Sequence, residues 1–356
     1  MKKNNTLRLV VSFLLSLFAL NAVASSIING AGATFPYPLY SKWAQAYQQL
    51  TGVKLNYQPI GSGGGIKQIQ AGTVDFGASD KPLPPNELQA NKLVQFPAVI
   101  GGIVPIINLA SAQNQPIKLS GALLAEIYLG EIKNWNNSKI EALNPGITLP
   151  NQLITVVHRS DGSGTTFLFT DYLSQINHSW KEKVGADTAV SWPVGVGGKG
   201  NEGVASYVQR IKGSIGYVEY AYARQTNFKV ANLVNHAGHT VSPSLETFQA
   251  AATNANWSVK NYFGSSLNNQ PGVNSWPIVG ATFILLRKTQ ADPQKAQTIL
   301  RYFDWAYQAS GQEMAKQLDY VPLPAQLVTL IHDVWRTEIK TKDGQLIWSK
   351  ADSSSI

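Results

Sequence analysis

The sequence predicts an α/β protein of two lobes, each with a central mixed sheet flanked by helices. First, short apolar or alternating runs recur along the chain between amphipathic stretches, as they do in α/β folds. Second, two long apolar runs, residues 96–109 and 276–286, flank a central segment. Two such buried strands predict that the chain crosses from one lobe to the other and returns. One lobe is then built from both ends of the chain, and the other from its middle.

The first elements are a glycine-containing turn and an amphipathic helix. Within residues 28–36, Thr34 offers a hydroxyl, and we expect the amide of Phe35 to be free just before the helix. The helix is predicted to begin near Pro36 or Pro38, because proline suits a first helical turn. Its predicted apolar face, which we expect to pack in the core, comprises Leu39, Trp43, Tyr47 and Leu50.

A second strand, glycine-rich loop and helix follow. Residues 53–57 alternate between apolar and polar as a strand does, residues 61–65 form a glycine-rich loop that contains Ser62, and a helical pattern starts at Ile66. The loop is not a Walker A motif, because no Gly-Lys-Ser/Thr follows, and it lacks the spacing of a dinucleotide fingerprint. The pattern leaves two interpretations open, a mobile turn or a ligand-binding loop.

The third strand is predicted over residues 74–80, and a short helix is predicted over residues 86–93. Asp80 stands at the carboxyl end of this strand, where α/β folds place ligand-binding groups. A carboxylate beside an anion site is reasonable only if the ligand carries a proton.

The central segment contains the most informative stretch. A helix is predicted over residues 120–132, then a strand over 153–157, a loop, and a helix over 167–173. The loop holds two glycines, four hydroxyls and Arg159, and free helix amides follow, so it could bind a phosphate-like oxyanion. The alternative is a capped helix, with Asp161 or Ser163 as the N-cap and Arg159 on the surface.

The remaining pattern predicts a glycine-dense stretch at residues 192–203 and five further elements. These are a helix at 204–211, a strand at 214–220, and helices at 244–252, 292–317 and 324–340.

Composition indicates an exported globular protein. The 356 residues suffice for two domains, and with 44% hydrophobic and 14% charged residues the chain is not of the disordered class. Residues 1–24 are predicted to be a signal peptide, from a positive start, a short apolar run and Ala22-Val23-Ala24, so the mature chain should begin at Ser25. The absence of cysteine excludes a disulfide, a thiol site or a lipid anchor on cysteine. We therefore expect a soluble protein of the Gram-negative periplasm, with full secretion as the second choice.

Charge and side-chain chemistry favour binding over catalysis. The net charge of +8 falls to +5 without the three cations of the leader, and with no Lys/Arg run we expect no nucleic-acid partner. His236 and His239 lack a third ligand nearby, so no metal site is predicted. His158 is predicted to face away from the pocket, because neighbouring strand residues point to opposite sides. Ser163 is not in a Gly-x-Ser-x-Gly motif, and no cofactor is expected.

Four motifs resemble one family closely: residues 31–36 (AGATFP), 75–80 (DFGASD), 159–165 (RSDGSGT) and 213–222 (GSIGYVEYAY). The family is the periplasmic phosphate-binding proteins of high-affinity phosphate ABC transporters, and the resemblance runs from about residue 28 to about residue 339. It implies a two-lobed, class II periplasmic binding protein with phosphate in the cleft. Lobe I would comprise residues 25–104 and 278–356, and lobe II residues 105–277. The implied partners are inorganic phosphate and an inner-membrane ABC permease, and the implied state is a monomer.

The resemblance also implies the phosphate ligands. They are Thr34, Phe35 through its amide, Ser62, Asp80, Arg159, Ser163, Gly164 through its amide, and Thr165, with Asp161 pairing with Arg159. One departure is Gly63, where the family commonly has a second serine. Ser62 is then the only hydroxyl in its loop, which should be looser.

Asp80 would act as a selector under this interpretation. Phosphate carries a proton at neutral pH and can donate it to Asp80, whereas sulfate carries none. A site built to receive a hydrogen bond rejects an analogue that lacks it by ~10⁴ or more. Three rival functions stay open: a secreted phosphatase using Ser163 or Thr165, a binding protein for another oxyanion, and a surface adhesion protein.

Overall fold

The computed structural model describes residues 27–110 and 115–349, so the predicted signal peptide lies outside the described residues. Sheets and helices alternate along the chain, and the predicted α/β class is confirmed. In the described part of the chain, no helix has the length and apolar character needed to span a bilayer.

Three parallel strands form one side of the main sheet. They are β1 (Ile27–Gly32), β2 (Lys54–Pro59) and β3 (Phe76–Ser79), with β1 in the middle. Helices connect them, and parallel strands joined by helices direct their carboxyl ends to one edge. The segments that begin with Thr34, Ser62 and Asp80 therefore start at the same edge of this sheet.

Helix α1 (Tyr37–Thr51) begins where the prolines predict, with Pro36 as its N-cap. Leu39, Trp43 and Tyr47 are buried, as predicted, but Leu50 is 60% exposed, so that part of the prediction is wrong. Leu50 lies in the last turn, where the chain turns away at Gly52 and nothing covers the side chain.

Helix α2 (Ser62–Ala71) includes the glycines that were expected to form a loop. The reason is close packing between the helix and the strands beneath it. A Cβ atom placed on Gly65 would lie 2.5 Å from the Cα of Gly32 and 2.8 Å from the carbonyl oxygen of Ala78. Glycine therefore permits a helical backbone to rest directly on the sheet, and Ser62 becomes the first helical residue.

One strand joins the two halves of the main sheet. β4 (Leu93–Asn108) pairs antiparallel with β12 (Val279–Arg287) along its first part and with β8 (Ser214–Glu219) along its second part. The chain thus crosses between the lobes along β4, as predicted, whereas β12 pairs with β3 and β4. Asp80 is followed by Pro84 and a short helix, α3 (Pro85–Ala90), which ends earlier than predicted because Leu93 already begins β4.

The second lobe repeats the arrangement with β6 (Thr155–Arg159), β7 (Val196–Gly198) and β8, where β6 lies parallel to both neighbours. Helix α6 (Gly164–Ile176) follows β6, and helix α8 (Gly200–Arg210) follows β7. The strand reaches Arg159 and both helices begin earlier than predicted, so the anion-binding stretch is a tight strand-to-helix junction.

The predicted helix at 292–317 is two helices, α11 (Pro293–Ala306) and α12 (Ala309–Gln317). The chain turns sharply between them, and a Cβ on Gly311 would lie 2.4 Å from the carbonyl oxygen of Ala306. Helix α13 (Ala325–Glu338) follows as predicted. The other elements are α4 (Gly121–Tyr128), α5 (Ser138–Leu143), α7 (His178–Lys183), α9 (Tyr220–Gln225), α10 (Leu245–Ala252), the 3₁₀ turn Val259–Asn261, β5 (Lys118–Ser120), β9 (Lys229–Val230), β10 (Asn232–Val234), β11 (Thr240–Val241), β13 (Thr289–Gln290) and β14 (Lys340–Thr341).

The packing of α2 predicts that substitutions at two neighbouring glycines will destabilise the protein to different extents. Gly65→Ala should lower the free energy of unfolding by about 1–3 kcal/mol, because the added methyl meets backbone atoms that cannot move aside. Gly64→Ala should cost less, since its methyl meets the side chain of Ile60, which can move, and no backbone atom is among its nearest neighbours. Urea unfolding of both variants checks this, and equal losses would contradict the close contact at Gly65.

Candidate anion-binding site

The predicted ligand residues converge in the seam between the lobes. Thr34 and Phe35 precede α1, Ser62 begins α2, Asp80 follows β3, and Arg159 ends β6. Ser163, Gly164 and Thr165 start α6 from the opposite side. Every one of the polar side chains is at most 3% exposed. Burying so many polar groups costs free energy unless each has a hydrogen-bond partner.

Direct contacts between the lobes show that the seam is closed. The amide of Gly164 donates to Ser62 Oγ at 3.0 Å, and the amide of Gly63 donates to the carbonyl oxygen of Gly162 at 2.9 Å. Gly63 thus carries a backbone bond between the lobes. At the rim of the seam, Lys81 Nζ lies 2.7 Å from Asp187 Oδ1.

Ser62 is fixed as a donor by its surroundings. Its Oγ accepts from the amide of Asp80 at 3.2 Å and from the amide of Gly164 at 3.0 Å. A hydroxyl oxygen has two acceptor positions, so both are occupied and its proton remains to be donated.

Arg159 is held by two bonds and has a third group to spare. Its Nε and Nη2 donate to the two oxygens of Asp161 at 2.8 and 2.6 Å. Its Nη1 is buried and has no hydrogen-bond partner among the described residues. Burial works to raise the pKa of Asp161, but the bonds from Arg159 outweigh it and lower that pKa. The pair therefore stays charged. Arg159 is buried, so the alternative interpretation that placed it on the surface is wrong.

Asp80 faces the same seam with an unpaired oxygen. Its Oδ1 is buried without a partner among the described residues. Burial raises the pKa of Asp80 to about 7, and the neighbouring Thr282 hydroxyl, the charge of Arg159 and the Ser62 hydroxyl oppose that rise. An unpaired carboxyl oxygen and an unpaired guanidinium nitrogen require a ligand that both donates and accepts hydrogen bonds.

The junction before α6 caps the helix and still leaves one hydroxyl proton free. Ser163 is the N-cap, and its Oγ accepts from the amide of Thr166 at 3.0 Å. The cap occupies one acceptor position of the hydroxyl and leaves its proton free. The amides of Gly164 and Thr166 in the first turn of α6 are already bonded to Ser62 Oγ and Ser163 Oγ, and the helix N-terminus adds partial positive charge, as expected for an anion site.

Three consecutive carbonyl groups behind the site are each bound by a tyrosine hydroxyl. The pairs are Tyr57 to Ala33 at 2.7 Å, Tyr222 to Thr34 at 2.5 Å, and Tyr320 to Phe35 at 2.6 Å. In a planar trans peptide, the C=O and the following N–H point in opposite directions. Tyr222, together with the amide of Tyr37, therefore holds the Thr34 carbonyl so that the Phe35 amide points away from them.

Sequence reasoning missed these tyrosines and Asn201. Asn201 is fully buried at the start of α8, and its Nδ2 lies 2.7 Å from Thr34 Oγ1. The only signal was a polar residue in the first turn of a helix after a glycine-dense run, which does not specify a partner. Tyr222 lies within a motif of the resemblance, but nothing indicated what its hydroxyl binds.

The described residues offer little for catalysis or metal binding. They contain no group of three His, Asp or Glu side chains that could hold a metal ion. His158 stacks on Trp192 with ring centres 4.7 Å apart, away from the seam as predicted, and burial lowers its pKa. The arrangement combines neutral donors, one cation and one carboxyl group, and its chemical capability is to bind a small protonated oxyanion.

Comparison with known proteins gives consistent matches over most of the chain. A family model described as a PBP superfamily domain matches residues 20–310. The chain is 55% identical over 328 residues to the phosphate-binding protein PstS of Haemophilus influenzae, covering 92% of this chain and 98% of that protein. It is 53% identical over 313 residues to PstS of Xylella fastidiosa strain 9a5c, covering 88% and 86%.

A solved structure shares the fold. It is a high-affinity periplasmic phosphate-binding protein (PfluDING) bound with phosphate, with a TM-score of 0.69 and 24% identity, covering 86% of this chain and 93% of that one. Both lobes and their connection are thus found together in a known fold.

The seam predicts that Gly164→Ala blocks closure. The added methyl would lie 2.5 Å from both Asp80 Cβ and Ser62 Oγ, across the seam. Ligand affinity should fall by at least about tenfold, because closure costs more free energy. Small-angle X-ray scattering with ligand should show a more open shape than for the native protein. The unfolding temperature without ligand should stay near the native value, since opening relieves the contact. A variant that closes normally would contradict this view of the seam.

Proposed function

This chain belongs to the PBP superfamily and, within it, to the phosphate-binding proteins named PstS, and we propose that it binds inorganic phosphate in the cleft between its lobes. The bound phosphate is delivered to an inner-membrane ABC permease for uptake. One observation carries the proposal. Two buried atoms in the same donor-lined seam, Arg159 Nη1 and Asp80 Oδ1, each lack a hydrogen-bond partner among the described residues.

The proposed ligands divide between the lobes. The hydroxyls of Thr34, Ser62, Ser163 and Thr165 donate, as does the amide of Phe35, and Arg159 supplies the charge while Asp161 holds it in place. The amide of Gly164, which the resemblance also names, donates to Ser62 Oγ in this structure and would share its proton with the anion. Asp80 is the one acceptor, and it accepts a hydrogen bond from the protonated oxygen of phosphate. Neutral hydrogen-bond donors can stabilise the anion without several positive side chains. Because the protein holds these donors in place before the anion binds, little conformational entropy is lost on binding.

Closure follows from this division, because a ligand that contacts both lobes stabilises the closed state. The lobe boundaries in this proposal are those given by the sequence, residues 25–104 and 278–356 for lobe I and residues 105–277 for lobe II. The closed form is the one that the permease recognises.

We place the mature protein in the periplasm as a monomer, exported by residues 1–24 and cleaved before Ser25. Support comes from the structural neighbour, which is a periplasmic protein, and from the leader pattern in the sequence. We assign it no catalytic role. Ser163 Oγ and Thr165 Oγ1 contact amide donors within the described residues, and neither contacts a general base.

Calorimetric titration of the mature protein, stripped of bound anion by partial unfolding and dialysis, tests the function. Phosphate should bind tightly at one site per chain, and sulfate should give no heat under the same conditions. Binding of neither anion would refute the proposal, and equal binding of both would assign the cleft to a different oxyanion.

Replacement of Asp80 tests the selector role. Asp80→Asn keeps the shape but presents an amide that can donate to sulfate, so discrimination between phosphate and sulfate should fall from ~10⁴ toward unity. Asp75→Asn is the matched control, since Asp75 lies at the other end of β3 and binds the amide of Asn29 and Lys295. Unchanged discrimination in Asp80→Asn, measured by titration of both anions, would show that Asp80 does not select.

The pH dependence of sulfate binding provides a second test. The pKa of Asp80 is raised to about 7, so its carboxyl is protonated below that pH and can then donate to sulfate. Sulfate affinity should therefore rise as the pH falls from 8 to 5, because the protonated fraction of the carboxyl grows over that range. Asp80→Asn should lose this dependence. Sulfate binding that is flat with pH in the native protein would contradict the assignment.

A further inference from the structure

Asn201 is a buried amide whose orientation the structure fixes. Its side chain is 0% exposed, and its Oδ1 accepts from the backbone amide of Glu219 at 3.0 Å. A backbone N–H can only donate, so the atom that faces it must be the oxygen. The Nδ2 group therefore points the other way, toward the cleft.

Two cleft hydroxyls lie in front of that Nδ2 group. It donates to Thr34 Oγ1 at 2.7 Å and makes a longer contact of 3.4 Å with Thr165 Oγ1. The backbone amide of Asn201 also lies 3.3 Å from Thr34 Oγ1. Both acceptor positions of the Thr34 hydroxyl are thus occupied by donors from a single residue.

A hydroxyl whose lone pairs are both occupied can act only as a donor. Thr34 is 2% exposed, so its proton cannot be given to bulk water in the closed state. The cleft is the direction that remains for it. Thr165 is constrained less strongly, because only one of the two acceptor positions of its hydroxyl is occupied.

We propose that Asn201 is a positioning residue that makes the Thr34 hydroxyl an obligate donor toward the bound anion and favours the same direction for the Thr165 hydroxyl. The inference deepens the proposed function and rests on it. Asn201 lies on lobe II and Thr34 on lobe I, so Thr34 acquires its fixed direction only when the lobes close. Lobe II thereby organises the half-site of lobe I in addition to supplying its own ligands.

Asn201→Asp replaces the NH₂ donor that faces Thr34 with an acceptor oxygen and leaves the shape of the side chain almost unchanged. One carboxylate oxygen keeps the bond to the Glu219 amide, and the other replaces the NH₂ group. A carboxylate has no proton to donate, so the Thr34 hydroxyl now donates to residue 201 and is lost to the ligand. Phosphate affinity, measured by calorimetry, should fall by at least about tenfold.

A double-mutant cycle separates positioning from a general loss of structure or charge. Thr34→Val should weaken phosphate binding by about tenfold in the native background. In the Asn201→Asp background it should cost less than about threefold, because that hydroxyl has already turned away. Costs that add in full would overturn the proposal, since residue 201 would then act independently of Thr34.

Asn144→Asp is the matched control. Asn144 is 2% exposed, its Oδ1 accepts from the amide of Lys118 at 2.8 Å, and its Nδ2 donates to two carbonyl oxygens away from the cleft. Phosphate affinity should stay within about twofold of the native value in this variant. An equal loss of affinity in Asn144→Asp would overturn the claim of a local effect.

Asn201→Ala extends the test without a new charge, and it replaces Asn201→Asp if the latter does not fold. It removes Nδ2 and leaves one acceptor position of the Thr34 hydroxyl empty, so the cost of Thr34→Val should fall below its native value. Native protein in the same titration separates the two levels of the argument. If native protein fails to bind phosphate, the proposed function is wrong; if it binds and the cycle is additive, only the role of Asn201 is wrong.

Discussion

The free-energy cost of burying unpaired polar groups governs this structure. Asp80 and Arg159 are at most 3% exposed and face one seam, and each keeps an atom without a protein partner among the described residues. Closing the lobes over such groups is unfavourable unless something occupies the space between them. Closure therefore depends on a ligand that can form hydrogen bonds with both of these groups. A binding protein needs such a dependence, because it must close only when its ligand is bound.

The protein surrounds that ligand by assigning a direction to each polar group. Backbone amides occupy the acceptor positions of the Ser62 hydroxyl, and Asn201 occupies those of Thr34. Tyrosine hydroxyls bind the carbonyls behind the Phe35 amide, so the acceptors of that segment are satisfied on the far side. The cleft is therefore lined by hydrogen-bond donors, and the carboxyl of Asp80 is the one acceptor among the proposed ligands. A ligand must carry a proton to form a hydrogen bond with it.

The sequence predicted the α/β class, the crossing of the chain between lobes and the helix start at Pro36, because each depends on local patterns. It failed where tertiary packing decides. The glycines after Ser62 are helical since Gly65 rests on the backbone of Gly32. Asn201 and Tyr320 contact residues 167 and 285 positions away, and no local pattern encodes such pairs. The resemblance named candidate ligands, whereas the groups that orient them required the structure.

Recognition depends on a proton that the ligand brings to Asp80. Titration of arsenate and selenate at pH 9, where the Asp80 carboxyl is ionised, tests this most directly, because the two oxyanions have similar shape and size and only arsenate carries a proton. Arsenate should bind within about tenfold of phosphate, and selenate should bind far more weakly than arsenate. Selenate binding as tight as arsenate would contradict the account, because shape and charge alone would then explain recognition.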